Sequence, residues 1–210
     1  MRKTALFGLC VCGILILLTA PAQAVPLGPS ETWSGLLTSD HCTGGCGTPP
    51  FGSVLLEQFG TTVDFTVTLF GSNEFVVTGA GDSMNFKFNG LGVALADIVV
   101  PAGLDKATGS FCGDSGGCFD FGVVFHDQGP GGSDPRPGPI LFSVDNATIF
   151  DLTQLNNLNQ IFVADIIGAA GATGLVDVSS GEGTPIPEPG TMLLLGIGLL
   201  GLAGIRRFKK

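Results

Sequence analysis

The sequence predicts an all-β body, an antiparallel β-sandwich or jelly-roll-like fold with one short helix. Three observations carry that expectation: period-2 alternation of apolar and polar residues, Gly/Asn/Asp turn clusters at short spacing, and a scarcity of helical patterns. Thr61–Phe70 is the clearest strand, with Val63, Phe65, Val67 and Leu69 on one face and Thr62, Asp64, Thr66 and Thr68 on the other. Phe75 and Val77 form a second segment. Met84, Phe86 and Phe88 alternate with Asn85, Lys87 and Asn89, which predicts a half-buried strand. Phe119, Phe121, Val123 and Phe125, then Ile140, Phe142 and Val144, repeat the pattern, and Ile161–Ile167 and Leu175–Val178 read as closing strands. Seven to nine short strands suit a sandwich better than an α/β fold.

Turns punctuate these runs at Gly71-Ser72-Asn73, Gly79-Ala80-Gly81-Asp82 and Asn89-Gly90. Asp151–Asn159 opens with Asp-x-x-Gln and places Leu152, Leu155 and Leu158 at helical spacing, which predicts the short helix. Gly44–Gly52 and Asp127–Pro139 are Pro/Gly loops, and Gly168–Gly174 is a smaller one.

The two ends read differently from the body. Arg2 and Lys3 precede an apolar run, Ala5–Leu18, and Ala22-Gln23-Ala24 is a small-x-small cleavage site, so residues 1–24 have the form of a secretory signal peptide with a signal helix. Export through the Sec translocon follows from that reading. Residues 25–180 are the expected sandwich body, 181–189 a tether, and 190–210 an apolar helix with a basic tail. Pro187 and Pro189 fix φ and keep Ile186 and Glu188 extended. Met192–Ile205 is apolar or Gly throughout, yet as a helix it reaches only about 21 Å at about 1.5 Å per residue, against about 30 Å of hydrocarbon. Arg206, Arg207, Lys209 and Lys210 place its end in the cytoplasm by the positive-inside rule.

Between these ends the charge is strongly one-sided. Val25–Ile186 carries 17 Asp and Glu against Lys87, Lys106 and Arg136, a formal charge of −14. That field repels phosphate backbones and anionic head groups, which argues against nucleic-acid binding and against peripheral docking by charge. Cations and neutral polysaccharide remain as candidate partners.

Pro187-Glu188-Pro189, the apolar run and Arg206-Arg207 together resemble the PEP-CTERM sorting signal of Gram-negative bacteria, read by exosortase, a membrane-embedded Cys transpeptidase. The resemblance covers residues 187–210. It implies an inner-membrane-tethered precursor, removal of the tail near Pro-Glu-Pro, and delivery of the body to the outer surface or the exopolysaccharide matrix. A non-catalytic structural or interaction role is the expectation for the body, with a calcium-assisted polysaccharide-binding module as the alternative.

Cys42, Cys46, Cys112 and Cys118 are the cysteines of the body, an even number in an oxidising compartment, so disulfides are the first reading. Their spacing favours local pairs, Cys42 with Cys46 and Cys112 with Cys118. His41 with these cysteines is the competing zinc reading, and it loses to oxidation outside the cytoplasm. Asp114, Asp120, Asp127 and Asp134 are weak candidates for a loop-borne calcium site, without an EF-hand or nonapeptide pattern. No resident cofactor is otherwise implied.

Gly113-Asp114-Ser115-Gly116-Gly117 looks like the nucleophile loop of chymotrypsin-like serine proteases, His41-Cys42 like their histidine segment, and Asp97 stands between as a carboxylate. The chain order fits, but Asp97 and Ser115 are too close in sequence for that fold. A Gly-rich turn closed by Cys112 and Cys118 accounts for the same letters, and a hydrolase using Ser115 is a minor expectation. Trp33 reads as a strand anchor, and His126 as an edge residue.

Overall fold

A computed structural model describes residues 29–78, 83–113 and 115–179, with the backbone of 184–186. The strands are β1 (Glu31–Leu37), β2 (Ser39–Asp40), β3 (Gly52–Phe59), β4 (Thr62–Leu69), β5 (Glu74–Phe75), β6 (Phe86–Phe88), β7 (Ile98–Val99), β8 (Leu104–Gly113), β9 (Gly117–Phe125), β10 (Ile140–Asp145), β11 (Gln160–Ile167), β12 (Thr173–Ser179) and β13 (Thr184–Ile186). The helix α1 is Ile149–Leu152. One sheet has the order β13-β1-β3-β4-β10-β7; the other runs β2-β12-β11-β6-β9-β8, with β5 also against β11. All the pairings are antiparallel. The body is therefore an all-β sandwich.

The alternation in β4 does what its sequence requires. Val63, Phe65 and Val67 are buried, and Phe65 stacks on Phe142 of β10 with centroids 4.4 Å apart. From the facing sheet Phe86, Phe88 and Phe162 close around the same ring, each between 5.4 and 6.2 Å away. Phenylalanine carries no polar atom, so this cluster fills the core without needing a hydrogen-bond partner. Trp33 of β1 is buried and meets Phe162 edge-on at 5.3 Å, which makes it a strand anchor. Gly35 follows it at the next inward position because a Cβ there would lie 2.6 Å from the Trp33 ring and 2.7 Å from Val178.

Several expectations are corrected. The helix is one turn at Ile149–Leu152, not Asp151–Asn159. Thr148 is its N-cap and Asp151 its third residue, with Thr148 Oγ1 accepting from Asp151 N and Asp151 Oδ2 accepting from Thr148 N at 2.9 Å. Thr153 closes the helix as C-cap, its N donating to Ile149 O at 3.0 Å, and beyond it the Asn156 side-chain oxygen accepts from Leu158 N and Gln160 N and holds the chain in a turn. Leu155 and Leu158 are left exposed. β6 is not half-buried: Asn85 and Lys87 are as enclosed as Phe86 and Phe88, since residues 76–78 and 83–84 lie over that face.

β1, β3 and β8 carry weaker alternation and are found only in the structure. β8 is an edge strand with mostly polar outward residues, which suits an uncovered edge. β13 lies within the expected tether, where Thr184–Ile186 pairs with the outer edge of β1. Pro185 is tolerated there because an edge strand needs bonds on one side only.

Candidate functional site

Two places on this frame concern function: the point where the chain leaves the body, and a polar corner at the β11–β12 edge. At the first, Thr32 is opposite Ile186, Trp33 opposite Pro185 and Ser34 opposite Thr184. Because Glu31 is opposite Gln58 on the other side of β1, Ile186 emerges at the end of the sandwich that carries the β3–β4 turn. α1 caps that same end, with Ile149 N donating to Gln58 Oε1 at 3.1 Å and Ala147 N to Thr61 O at 3.0 Å. Pro187, Glu188, Pro189, Arg206 and Arg207 lie outside the described residues, as do Ala22 and Ala24.

The second place is built on Asp177, only 1% exposed on the outward face of β12. Its Oδ2 lies 2.5 Å from His41 Nε2 and accepts from Gln160 Nε2 at 2.9 Å, while Oδ1 accepts from Ser179 Oγ at 2.6 Å. Both carboxylate oxygens are thus engaged, as a buried charge requires. Gln160 Nε2 also donates to Ser115 O at 3.0 Å, which ties the β8–β9 turn to the corner. Asn156 Nδ2 holds Gly116 O at 2.8 Å. The His41 side chain is 27% exposed, so the imidazole meets solvent at this corner, as do the partly buried Ser115 and Ser179.

The corner corrects the triad expectation in part. His41 and Ser115 do approach the same place, but the carboxylate beside His41 is Asp177. Asp97 is occupied elsewhere: its Oδ2 accepts from Ala94 N at 2.8 Å and its Oδ1 from Asn146 Nδ2 at 2.9 Å. The Asn146 bond, followed by the Ala94 bond, holds the Asp97 carboxyl below the usual carboxylate range. Among the described residues no hydrogen bond joins the Ser115 hydroxyl to His41. Asp177 and Gln160 escape sequence reasoning because Val-Asp-Val and Asn-Gln-Ile are unremarkable inside strands.

The four cysteines form the two local disulfides, Cys42–Cys46 and Cys112–Cys118, with Cα separations of 5.4 and 4.1 Å. Cys112 and Cys118 face one another across the β8–β9 pair. The zinc reading falls with these bonds, which leave no thiolate. Asp40, Cys42 and Cys46 bring possible ligand atoms within 4.8 Å of one another, but the Asp40 carboxylate accepts from Cys42 N and Cys46 N, each at 2.9 Å, and shapes the loop.

The calcium candidates stand apart from that cluster. Asp134 pairs with Arg136 at 2.7 Å, and that bond holds its carboxyl below the ordinary range. Asp127 lies 3.3 Å from His126, Asp120 is exposed on β9, and Asp114 lies outside the described residues. His126 Nδ1 sits 2.8 Å from Asp105 Oδ2, and that hydrogen bond, reinforced by the charges of Asp105 and Asp127, raises the imidazole pKa.

Among the described residues no helix is long and apolar enough to cross a membrane. No curated protein and no solved structure matches the chain. The family model for the PEP-CTERM protein-sorting motif matches residues 185–207, and so begins on the last two residues of β13. The chain carries the PEP-CTERM protein-sorting motif, and by that motif it is an exported, cell-envelope-sorted protein with exosortase as its processing partner.

Proposed function

We propose that this chain is a structural or interaction component of the outer cell surface or exopolysaccharide matrix, released from an inner-membrane tether by exosortase and without catalytic activity of its own. The observation that supports it is the junction of β13 with the sorting motif. Ile186 is the last residue of β13 and Pro187 the first of the Pro-Glu-Pro motif, so loss of the tail after that motif leaves every pairing among the described residues in place. Two disulfides, a Phe-rich core and an acidic surface suit a small domain exposed outside the cell. In the precursor, residues 1–24 act as the signal peptide and 190–210 as the temporary membrane segment.

Intact-mass measurement of the cell-surface protein tests this reading. The expected species begins near Val25 and ends within or just after Pro187–Pro189; a surface species that retains Arg206 and Arg207 overturns it. Pull-down of the body with the exopolysaccharide then separates an interaction role from a purely structural one.

The His41–Asp177 contact favours one second reading, a hydrolase in which His41 serves as base for Ser115. Against it, Ser115 enters the corner through its carbonyl, which Gln160 already holds. A fluorophosphonate probe decides the matter: no labelling of the folded body is expected, and adduct formation at Ser115 overturns the non-catalytic reading.

A further inference from the structure

We infer that in the tethered precursor the end of the sandwich beside Ile186 rests on the bilayer, with Phe150, Leu91, Leu155 and Leu158 in the lipid interface. This rests on the reading of residues 190–210 as a membrane segment. Phe150 is 71% exposed and Leu91 61%, the two most exposed large apolar side chains among the described residues, and Leu155 and Leu158 are each about half exposed. They are neighbours in space as well as in kind. Leu91 N donates to Asp151 O at 2.9 Å, which joins the loop after β6 to α1, and Leu155 and Leu158 lie in the turn that follows α1. Phe59, 40% exposed at the β3–β4 turn, adds to the same end.

The length of chain beyond the body selects lipid as the occupant. Ile186 leaves at this end, and only Pro187–Thr191 separates it from Met192, the first residue of the apolar run. Five residues span at most about 18 Å at about 3.3–3.6 Å each. The end that carries Phe150 is therefore held against the membrane whenever Met192–Ile205 is inserted. Such proximity raises the effective concentration of the surface for lipid enough that a weak apolar contact suffices. It also compensates a weak anchor. The apolar run is short for a bilayer, and stable attachment generally takes two signals.

Charge narrows the lipid class. Glu31, Asp97, Asp145 and Asp151 surround this end, and no Lys or Arg pairs with them among the described residues. An uncharged, zwitterionic head-group surface is the one this end tolerates, and the body without its tether has no charge attraction to hold it there.

The test uses the full chain in phosphatidylcholine vesicles with brominated acyl chains, comparing Phe150→Trp with Ser72→Trp, which sits on the turn at the opposite end of β4. Trp33 is buried and gives a constant background. The expected result is quenching of the tryptophan at 150 several-fold stronger than at 72, with a blue-shifted emission. Equal quenching at the two positions, in chains that float with the vesicles, overturns the docking and leaves the membrane segment standing. A chain that fails to float overturns the membrane-segment reading and the docking together. Cross-linking of position 150 between two chains, with no lipid quenching, assigns the patch to a second copy and overturns the inference as well.

Discussion

His41 Nε2 and Asp177 Oδ2 lie 2.5 Å apart across 136 residues of sequence. The contact joins the loop after β2 to β12, and through Gln160 it reaches the β8–β9 turn. Asp177 is thus the acceptor on which His41 and Gln160 converge, with Ser179 of its own strand.

Replacing Asp177 by Ala leaves Gln160 Nε2 and Ser179 Oγ without this acceptor in a buried setting. Each lost bond to this carboxylate is worth on the order of 1–3 kcal/mol, although Gln160 Nε2 keeps Ser115 O and Ser179 Oγ keeps Ser39 Oγ. The expected loss for Asp177→Ala is about 3 kcal/mol, read as a lower urea midpoint at unchanged slope. His41→Ala costs less, about 1 kcal/mol, because a partly exposed imidazole is replaced by water. Equal losses for the two variants contradict the assignment of Asp177 as the hub.

The two disulfides close loops of similar length, so chain entropy assigns each about 2 kcal/mol. Their surroundings differ. Cys46 is fully buried, and a Cβ at Gly168 would stand 2.0 Å from its carbonyl oxygen, so the chain packs tightly over this loop. Cys112 is exposed beside Ser110. The paired replacement Cys42→Ser with Cys46→Ser is therefore expected to lower Tm more than Cys112→Ser with Cys118→Ser. The reverse order, measured calorimetrically, refutes this difference in packing.

The parts of the fold legible in the sequence are those where one face is buried and the other wet. Val63, Phe65 and Val67 announce β4 because water sits opposite them. β6 misleads for the complementary reason: Asn85 looks like a solvent position, yet its side chain donates to Val76 O and accepts from Phe125 N inside the molecule. β1 is obscured by Gly35, where packing against Trp33 removes the apolar side chain that alternation would supply. At the polar corner His41 was visible through its neighbours, whereas Asp177 was not, since only the register of β11 with β12 brings it beside Gln160. The sorting motif is legible because it is one contiguous stretch, and the family model matches it at residues 185–207.

Calcium should leave this protein unmoved. The Asp134 carboxylate accepts from Gly129 N and pairs with Arg136, and Asp127 sits with His126. Thermal unfolding is expected at the same Tm in millimolar calcium and in chelator. A rise with calcium of several degrees contradicts this and restores the ligand role of the loop carboxylates.

The His126 imidazole gives a pH signature. Its pKa is raised in the folded state, first by the hydrogen bond that the imidazole donates to Asp105 and then by the charges of Asp105 and Asp127. The associated stabilisation is full below the unfolded value near 6.5 and disappears as pH rises through the folded value. His126 and both partners are exposed, so the effect on stability is slight, and NMR titration of the imidazole is the sensitive measurement. Asp105→Asn is expected to move the titration to lower pH; an unchanged midpoint contradicts the pairing.

Pairing of β13 with β1 gives the last prediction, which separates a strand from a tether. β1 is paired with β3 on one side and β13 on the other, and along any strand successive amides point to alternate sides. A chain ending at Ser179 therefore loses hydrogen-exchange protection at every second amide across Thr32–Ser34, the set facing β13, while the set facing β3 stays protected. Uniform loss would mean that β1 itself detaches, and no loss would mean that Thr184–Ile186 adds nothing to the sheet. The alternating result also bears on processing. Pro187 follows the last residue of β13 in sequence, so substitutions in Thr184–Ile186 that break the pairing are expected to change processing by exosortase while leaving Pro187-Glu188-Pro189 itself intact.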